Sequence, residues 1–197
     1  MPETKNFRVQ QTLQKIKQIF NELLVEEGFT NITVKQILQG AHINRSTFYT
    51  YFDNKEDLLN EIEADLFQGL KKISKKLLEQ DVKFYSDEEA LQTYYHQLVH
   101  YIYENRDKFA LLAGAKGDPA FISKLFKLDQ DIWNQSQTLE ELTVPQHYAL
   151  TGLLTLGTSL INEWAQNDFQ ETPEEFENIL KSMIEPIFLG SLFKKEK

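Results

Sequence analysis

The sequence predicts an all-α fold with about nine helices, because apolar residues recur every three or four positions along most of the chain. Helix start signals, in which Ser, Thr, Asp or Asn precedes Glu or Gln by three positions, stand before several of these apolar runs. No stretch alternates apolar and polar residues in the manner of a half-buried strand. With 197 residues, 41% hydrophobic and 26% charged, the chain has the composition of a globular protein.

The first half of the chain is predicted to form a long helix, two short helices and a second long one. The first helix has apolar residues on one face from Val9 onward, and Gly28 supplies its C-terminal stop. Residues suited to N-caps precede the next three helices: Thr33 with Gln36, Asn44, and Asp53 with Glu56.

The second half is predicted to contain amphipathic helices of ordinary length. Their start signals are Ser86 with Glu89, the pair Asp118-Pro119, the segment from Thr143 to Gln146, and Thr172-Pro173. Proline is favourable at the first helical position because its missing N–H would be unpaired there in any case.

Charge distinguishes the N-terminal segment from the rest of the chain. The formal net charge is −9, from 21 Lys and Arg against 30 Asp and Glu. Residues 1–52 nevertheless carry +2, and the remaining residues carry −11. A mildly basic head on an acidic body is compatible with a nucleic-acid partner, although the whole chain is acidic.

Composition excludes several classes of site. Without cysteine, the chain can form no disulfide, thiolate zinc site or cysteine nucleophile. The longest uncharged apolar run has 14 residues, from Tyr148 to Ile161, whereas a membrane-spanning helix needs roughly 20. The N-terminus lacks the pattern of a secretory leader. These observations predict a cytoplasmic protein without a membrane span.

The second and third helices form the strongest functional pattern. Two short helices separated by about four residues, after a longer one, are typical of a helix-turn-helix. On a helical wheel, Phe48 and Phe52 point toward the other two helices, while Ser46 and Thr50 point away. Exposed hydroxyls and a phenol beside Arg45 contribute little to stability but suit a DNA major groove, where hydroxyls reach phosphates and arginine reads guanine edges. The competing interpretation is an ordinary solvated helix.

Residues 8–60 resemble the N-terminal domain of the TetR/AcrR family of transcriptional regulators. The resemblance rests on the run Ala41-His-Ile-Asn-Arg-Ser-Thr-Phe-Tyr-Thr-Tyr-Phe-Asp-Asn-Lys-Glu-Asp-Leu-Leu59 and on Gly28-Phe29 and Thr33-Val34 before it. It implies a DNA-binding domain at residues 1–53 and a ligand-binding and dimerisation domain at residues 54–197. The segment Leu111–Phe121 and the later Gly152–Trp164 resemble, more weakly, a regulatory domain common in Firmicutes.

By position, the resemblance implies a set of DNA contacts. Base edges would be met by Arg45, Ser46 and Thr50, and phosphates by Thr33, Val34, Thr47, Tyr49 and Lys55. Tyr51 can either pack or contact DNA. The chain departs from the family at His42, where the turn usually has glycine. Either the turn is slightly strained, or His42 itself points at DNA.

The resemblance also implies that the last two helices form a four-helix bundle with a second copy of the chain. The predicted interface, in which small residues let helices approach, comprises Gly152, Thr155, Leu156, Ser159, Leu160, Leu180, Met183 and Ile187. An aromatic pocket for a small ligand is predicted from Phe67, Tyr95, Phe109, Phe126, Trp133 and Trp164. Both sets could instead be ordinary core residues.

Two further patterns concern metals and catalysis. His96, His100 and Glu104 recur at helical spacing on the fifth helix, which could place metal ligands in line. A helical wheel puts them opposite the apolar stripe, on the predicted solvent side, so no metal site is predicted. No glycine-rich phosphate loop, paired acids or Ser-His-Asp signature predicts an enzyme, and no cofactor is expected.

The sequence therefore predicts a homodimeric transcriptional regulator that is not an enzyme. The resemblance favours a repressor that binds a palindromic operator in double-stranded DNA and is released by a small-molecule effector. Two other classes remain as alternatives. An all-α enzyme would leave the polar face of the third helix unexplained. A helical adaptor or co-activator would bind a partner protein through its acidic body.

Overall fold

The computed structural model describes residues 2–78, 88–135 and 142–187. These residues form nine α-helices: α1 Pro2–Glu27, α2 Val34–Ala41, α3 Arg45–Tyr49, α4 Lys55–Leu78, α5 Glu88–Glu104, α6 Arg106–Ala113, α7 Phe121–Trp133, α8 Gln146–Gln166 and α9 Pro173–Ile187. The predicted all-α fold is confirmed. None of these helices is both long enough and apolar enough to cross a lipid bilayer.

Three of the predicted helix starts are formed by the predicted residues. Thr33 and Gln36 make a complete capping box at α2. Asn44 caps α3 through a hydrogen bond from the Thr47 N–H. At α9, the hydroxyl of Thr172 accepts the N–H of Glu175, whose carboxylate accepts the N–H of Thr172 in return. Such caps satisfy backbone N–H groups that have no partner within the helix.

Two other predicted starts are displaced. Asn54, not Asp53, caps α4, because its side-chain oxygen accepts the N–H of Asp57 at 2.7 Å. The α7 helix begins at Phe121, two residues after the proline predicted to open it, and its N-cap position has no side-chain hydrogen bond. The predicted capping residue Ser86 lies outside the described residues.

The chain divides into two compact units, with the first boundary inside α4. The N-terminal unit comprises residues up to Asp65 together with the α6–α7 connection, Gly114–Asp118. Its buried core is built from Ile16, Phe20, Leu24, Ile37, Phe48, Leu58 and Leu59. Burial of each such side chain contributes about 1.5–3 kcal/mol. A functional boundary after residue 53 remains a prediction.

The C-terminal unit comprises Leu66–Ala113 and the residues from Pro119 onward. The ring of Trp164 stacks on Phe176 with centroids 4.0 Å apart and an angle of 14°. Its indole N–H donates to the carbonyl of Glu171 at 3.1 Å, so the buried polar atom is paired. Aromatic packing therefore connects α8 to α9 and the turn before it.

Candidate nucleic-acid interface

The turn between α2 and α3 is closed by His42 in the left-handed conformation, with φ 53° and ψ 45°. Its N–H bonds the carbonyl of Gln39 at 3.3 Å, and the Ile43 N–H bonds that of Leu38 at 3.1 Å. A residue with a Cβ pays about 1 kcal/mol for this conformation. The strained turn expected from the replaced glycine is therefore present. The His42 side chain is exposed, and its contact with DNA stays a prediction.

The start of α3 is organised by a single amide oxygen. The Asn44 Oδ1 accepts the Ser46 hydroxyl, the Thr47 N–H and the Thr47 hydroxyl, each at 2.8 Å. At the other end, the Thr50 hydroxyl donates to the carbonyl of Ser46 at 2.8 Å. These bonds fix the hydroxyl oxygens in position before any ligand arrives.

The third helix buries one face and exposes the other. Phe48 is 0% exposed and packs against Phe52, with ring centroids 5.5 Å apart. The opposite surface carries exposed side chains: Arg45, Ser46, Tyr49 and Thr50. Thr47 and Tyr51 are half-buried. The Arg45 guanidinium lies 5.7 Å from the centroid of the Tyr49 ring, so the charge and the phenol form one continuous patch.

The predicted phosphate contacts on α2 differ in their availability. Thr33 is exposed, but its hydroxyl donates to the Gln36 side chain at 2.6 Å as part of the capping box. Val34, the first residue of α2, is half-buried. A phosphate contact from either residue remains a prediction.

Lys55, for which a phosphate contact is predicted, is hydrogen-bonded within the N-terminal unit. Its ammonium donates to the carbonyl oxygens of Phe29 at 2.8 Å, Thr30 at 3.3 Å and Ile32 at 2.9 Å. The same nitrogen lies 4.7 Å from the centroid of the Phe29 ring. An ammonium group has three N–H donors, and all three are directed into the α1–α2 turn. The structure therefore gives Lys55 a role in joining α4 to this turn, and its phosphate contact stays a prediction.

A second lysine with this type of contact was not predicted. Lys116, in the α6–α7 connection, donates to the carbonyls of Val25 and Glu26 at 2.9 Å each. Its own carbonyl accepts the N–H of Phe29 at 2.8 Å. A cation at a helix C-terminus is favourable because the last carbonyls are unpaired and partially negative. Lys116 stands 91 residues after Val25 in the sequence. No local spacing therefore predicts this contact, and only the folded structure reveals it.

The C-terminal unit contains a cavity of about 70 Å³ between α5, α7, α8 and α9. Its lining is mostly apolar but includes Tyr95 and Asp129. The Tyr95 hydroxyl is buried and has no hydrogen-bond partner within the described residues. Burial raises the pKa of Asp129 to about 7, and burial, with a smaller contribution from the charge of Glu185, raises that of Tyr95. Two such polar groups in an apolar cavity are typical of a ligand site.

The aromatic residues predicted for a ligand pocket separate into two groups. Tyr95 and Trp133 line the cavity. The other four do not belong to its lining. Phe67 and Phe109 both pack against Phe121, with ring centroids 5.6 Å and 5.7 Å away. Trp164 is stacked in the core, and Phe126 is half-buried.

Most of the residues predicted for a dimer interface lie on the outer surface of α8 and α9. Gly152, Thr155 and Ser159 are exposed, while Leu156 and Leu160 are half-buried. On α9, the exposed fractions are 45% for Met183 and 40% for Ile187. Leu180 requires a correction, since it is 1% exposed and faces the cavity within its own unit.

The series predicted on the solvent side of α5 is mostly found there, since His96 and Glu104 are exposed and His100 is half-buried. Helix α9 packs against α5, and Glu177 of α9 lies beside His96 and His100. Glu104, the third residue of the series, is exposed and outside this cluster. A helical wheel locates the apolar stripe, but it does not reveal a polar contact with a second helix.

Two family profiles match the chain. Residues 21–62 match the profile described as bacterial regulatory proteins, tetR family. Residues 89–186 match a transcriptional regulator C-terminal region. Together these ranges include the α2–α3 segment and the helices that surround the cavity.

A curated relative is the HTH-type dhaKLM operon transcriptional activator DhaS of Lactococcus lactis, which is 39% identical over 59 residues. That match covers 30% of this chain and 32% of the relative, so the chain spans about a third of the protein that it matches.

Solved structures resemble the chain over nearly its whole length. A putative TetR-family regulator from Syntrophomonas wolfei has a TM-score of 0.67 at 21% identity, covering 93% of this chain and 97% of that one. A TetR regulator from Streptococcus agalactiae has a TM-score of 0.67 at 22% identity, covering 93% and 99%. NalD, the secondary repressor of an efflux pump in Pseudomonas aeruginosa, has a TM-score of 0.66 at 19% identity, covering 95% and 100%. At these identities, the likeness concerns the fold.

Proposed function

We propose that this chain, which belongs to the TetR family of transcriptional regulators, is a repressor. It would bind a palindromic operator as a homodimer and leave the operator when a small molecule binds the C-terminal unit. The DNA-binding part rests on one observation. Helix α3 buries Phe48 and exposes an arginine, a serine and a tyrosine on its other face.

The exposed face of α3 has the chemistry of a major-groove reader. The guanidinium of Arg45 can donate two hydrogen bonds to a guanine edge, which is a common sequence-specific contact. The hydroxyl of Tyr49 can donate to a phosphate, which fixes the position of the helix without reading sequence. Ser46 and Thr50 have short side chains, so the helix can approach the bases closely. Specificity and anchoring thus come from neighbouring residues on one turn.

Dimerisation is supported by the outer surface of α8 and α9. Tyr148 is 68% exposed, and Met183 and Ile187 add further exposed apolar area. One helical turn after Tyr148, Gly152 has open space around it, since a Cβ built there would meet no atom within 4 Å. Exposed apolar residues beside small ones suit close packing with a second copy. A palindromic operator presents two half-sites about one DNA turn apart, and a dimer would supply one α3 helix for each.

The effector is proposed to occupy the cavity of the C-terminal unit. Its apolar lining favours a hydrophobic body, and the unpaired Tyr95 hydroxyl favours a hydrogen-bond acceptor on the ligand. The pKa of Asp129 is raised to about 7. Its ionised carboxylate would accept a hydrogen bond from an amine, and its protonated form would donate one to an acceptor on the ligand. A ligand that binds one conformation of the dimer better than the other shifts the population between them, which is how it would change DNA affinity.

The DNA-binding proposal is tested by selecting preferred sequences from random duplexes and measuring affinity by fluorescence anisotropy at several salt concentrations. Arg45→Ala is expected to lose about 1–3 kcal/mol of discrimination at one base pair while retaining binding to random DNA. Lys15→Ala, at an exposed position on α1, is the matched control and should keep the preference. Equal losses on specific and random DNA for Arg45→Ala would contradict the base-reading role.

The effector proposal is tested by screening amines and neutral compounds of matched size for release of the selected operator. A releasing amine should lose at least tenfold in potency with Asp129→Asn, and one that accepts from Tyr95 should lose potency with Tyr95→Phe. The matched control is Tyr148→Phe, which removes an exposed hydroxyl from the same unit. Unchanged potency in both cavity variants would place the effector elsewhere.

The sign of regulation is tested separately with a reporter gene downstream of the operator. NalD is named a repressor and DhaS an activator, so relatives of both kinds exist. Deletion of this protein should raise reporter expression if it represses. A fall in expression would contradict repression and favour the co-activator alternative, in which the acidic body binds a partner protein.

A further inference from the structure

A cluster of three metal-binding side chains lies where α5 packs against α9. His96 and His100 occupy successive turns of α5, with ring centroids 3.9 Å apart. The Nδ1 atoms of these rings lie 2.8 Å and 3.4 Å from Oε1 of Glu177. One ligand atom from each of the three residues lies within 4.8 Å of the other two. All three residues belong to the C-terminal unit.

The carboxylate of this cluster is well shielded from water. Glu177 is 8% exposed, whereas its neighbour Glu174 has a side chain that is 73% exposed. Among the described residues, its ion-pair partners are the two histidines, and no lysine or arginine contacts it. A buried carboxylate is costly without positive charge nearby. The two imidazoles beside it offer nitrogen atoms that can bind a metal ion, and the ion would supply the positive charge.

We propose that His96, His100 and Glu177 bind a divalent transition-metal ion of the zinc, cobalt or nickel class. Two imidazole nitrogens and one carboxylate oxygen are the ligand set of such ions, whereas magnesium and calcium prefer oxygen alone. Histidines four residues apart on a helix place both rings on one side, as metal sites on helices require. Three protein ligands leave a fourth position for water or another ligand.

The hydrogen bonds around the cluster orient its rings for this role. The Nδ1 of His100 lies 3.0 Å from the carbonyl of His96, which fixes that ring when the nitrogen carries the proton. Its Nε2 then holds a free lone pair and lies 4.0 Å from a carboxylate oxygen of Glu174. A ligating histidine usually donates its other N–H in this way, which sets the tautomer and the ring direction. Glu174 lies beside the cluster but outside the group of three ligand residues.

Metal at this position would join two walls of the cavity. Tyr94, Tyr95 and Leu98 of α5 line the cavity, as do Leu180 and Ile184 of α9. His96 follows Tyr95 directly, and Glu177 lies one helical turn before Leu180. The ion would therefore stabilise the packing of α5 on α9. This binding event does not depend on the DNA-binding proposal.

The test is a titration of the metal-free, untagged full-length protein with Co²⁺, followed by displacement with Zn²⁺. The bound Co²⁺ should develop visible ligand-field absorption at one equivalent per chain, and Zn²⁺ should abolish it. His96→Ala, His100→Ala and Glu177→Gln should each weaken the Zn²⁺ affinity at least tenfold. Zn²⁺ should also raise the unfolding temperature of the wild type but not of these variants, because a ligand that binds the native state stabilises it.

Two controls make the result specific. His147→Ala removes an exposed histidine of α8, and Glu104→Gln removes the exposed acid one turn beyond His100. Both should keep the wild-type affinity, and circular dichroism should show that every variant is folded. The absence of stoichiometric Co²⁺ binding would overturn the proposal. Equal weakening by His147→Ala and His96→Ala would also overturn it, since binding would then be a property of surface histidines in general.

Discussion

Two polar clusters, one in each unit, gather several groups around one oxygen but are assembled in different ways. In the N-terminal unit, the Asn44 side-chain oxygen accepts three hydrogen bonds from residues two and three positions later. In the C-terminal unit, the Glu177 oxygen faces two imidazoles, one of them 81 residues earlier. The first cluster is a local feature of the backbone, and the second exists only because α5 packs on α9.

This difference explains which features a sequence reveals. A capping residue is recognised by its spacing, because its partners are fixed by the geometry of one helical turn. A contact between distant segments depends on packing, which has no fixed spacing. The same distinction separates the predicted caps at Thr33 and Asn44 from Lys116, whose contacts with α1 were not predicted.

The largest expected effect tests whether local bonds alone hold α3 in place. Phe48→Ala should destabilise the N-terminal unit by about 3–5 kcal/mol, because a fully buried ring is replaced by a cavity. Urea unfolding measures the loss, and operator binding should fall with it. Retention of wild-type stability would mean that the hydrogen bonds to Asn44 alone hold this five-residue helix in place. They would then have to offset the unfavourable free energy of nucleating a short helix.

A smaller loss is expected from Lys55→Met, which keeps the aliphatic stem but removes the ammonium. The three carbonyls of the α1–α2 turn would lose their donor, at a cost of about 1–2 kcal/mol in unfolding free energy. The salt dependence of DNA binding should keep its slope. A slope reduced by about one would instead indicate the phosphate contact predicted from the sequence. Lys35→Met, at an exposed position on α2, is the matched control for stability.

The cavity carboxyl should make stability depend on pH. Its pKa is about 7 in the folded protein and 3.8 as an ordinary aspartate, so the folded state holds an extra proton between these values. Its contribution is fully present below pH 4 and is lost as pH rises toward 7, at most about 1.4 kcal/mol per pH unit. Asp129→Asn should flatten this part of the profile of unfolding free energy against pH. An unchanged profile would contradict the raised pKa.

Asn44→Ala is expected to cost about 1 kcal/mol, since it removes the N-cap of α3. Asn44→Asp keeps an acceptor oxygen and should recover most of the loss in thermal unfolding. If both variants were equally destabilised, the amide group would have a role other than capping.

The smallest expected effect is a gain. His42→Gly should stabilise the protein by a few tenths to about 1 kcal/mol, because glycine adopts the left-handed conformation without a Cβ penalty, partly offset by its greater freedom when unfolded. Thermal unfolding measures the gain. A parallel loss of operator affinity would show that the His42 side chain also contacts DNA.

Much of the fold and of the candidate DNA-binding face could be predicted because both depend on short-range patterns. The spacing of apolar residues predicted the helices, the caps of α2 and α3 were recognised, and Phe48 was assigned to the buried face. Adjacent residues that can both cap a helix made one helix start ambiguous. The sequence predicted Asp53 as the cap of α4, whereas Asn54 has that role in the structure. Of the pocket aromatics, Tyr95 and Trp133 reach the cavity, while Trp164 packs in the core.

The sequence by itself determined the all-α class, the helix-turn-helix and the family, because each is expressed by residues close together in the chain. Only the tertiary structure decided that Lys55 and Lys116 pair with the end of α1 and the turn after it, that Asp129 and Tyr95 share a cavity, and that Glu177 meets two histidines. The physical reason is that a side chain's charge state and partners depend on burial and on neighbours from other helices. Packing of whole helices sets both.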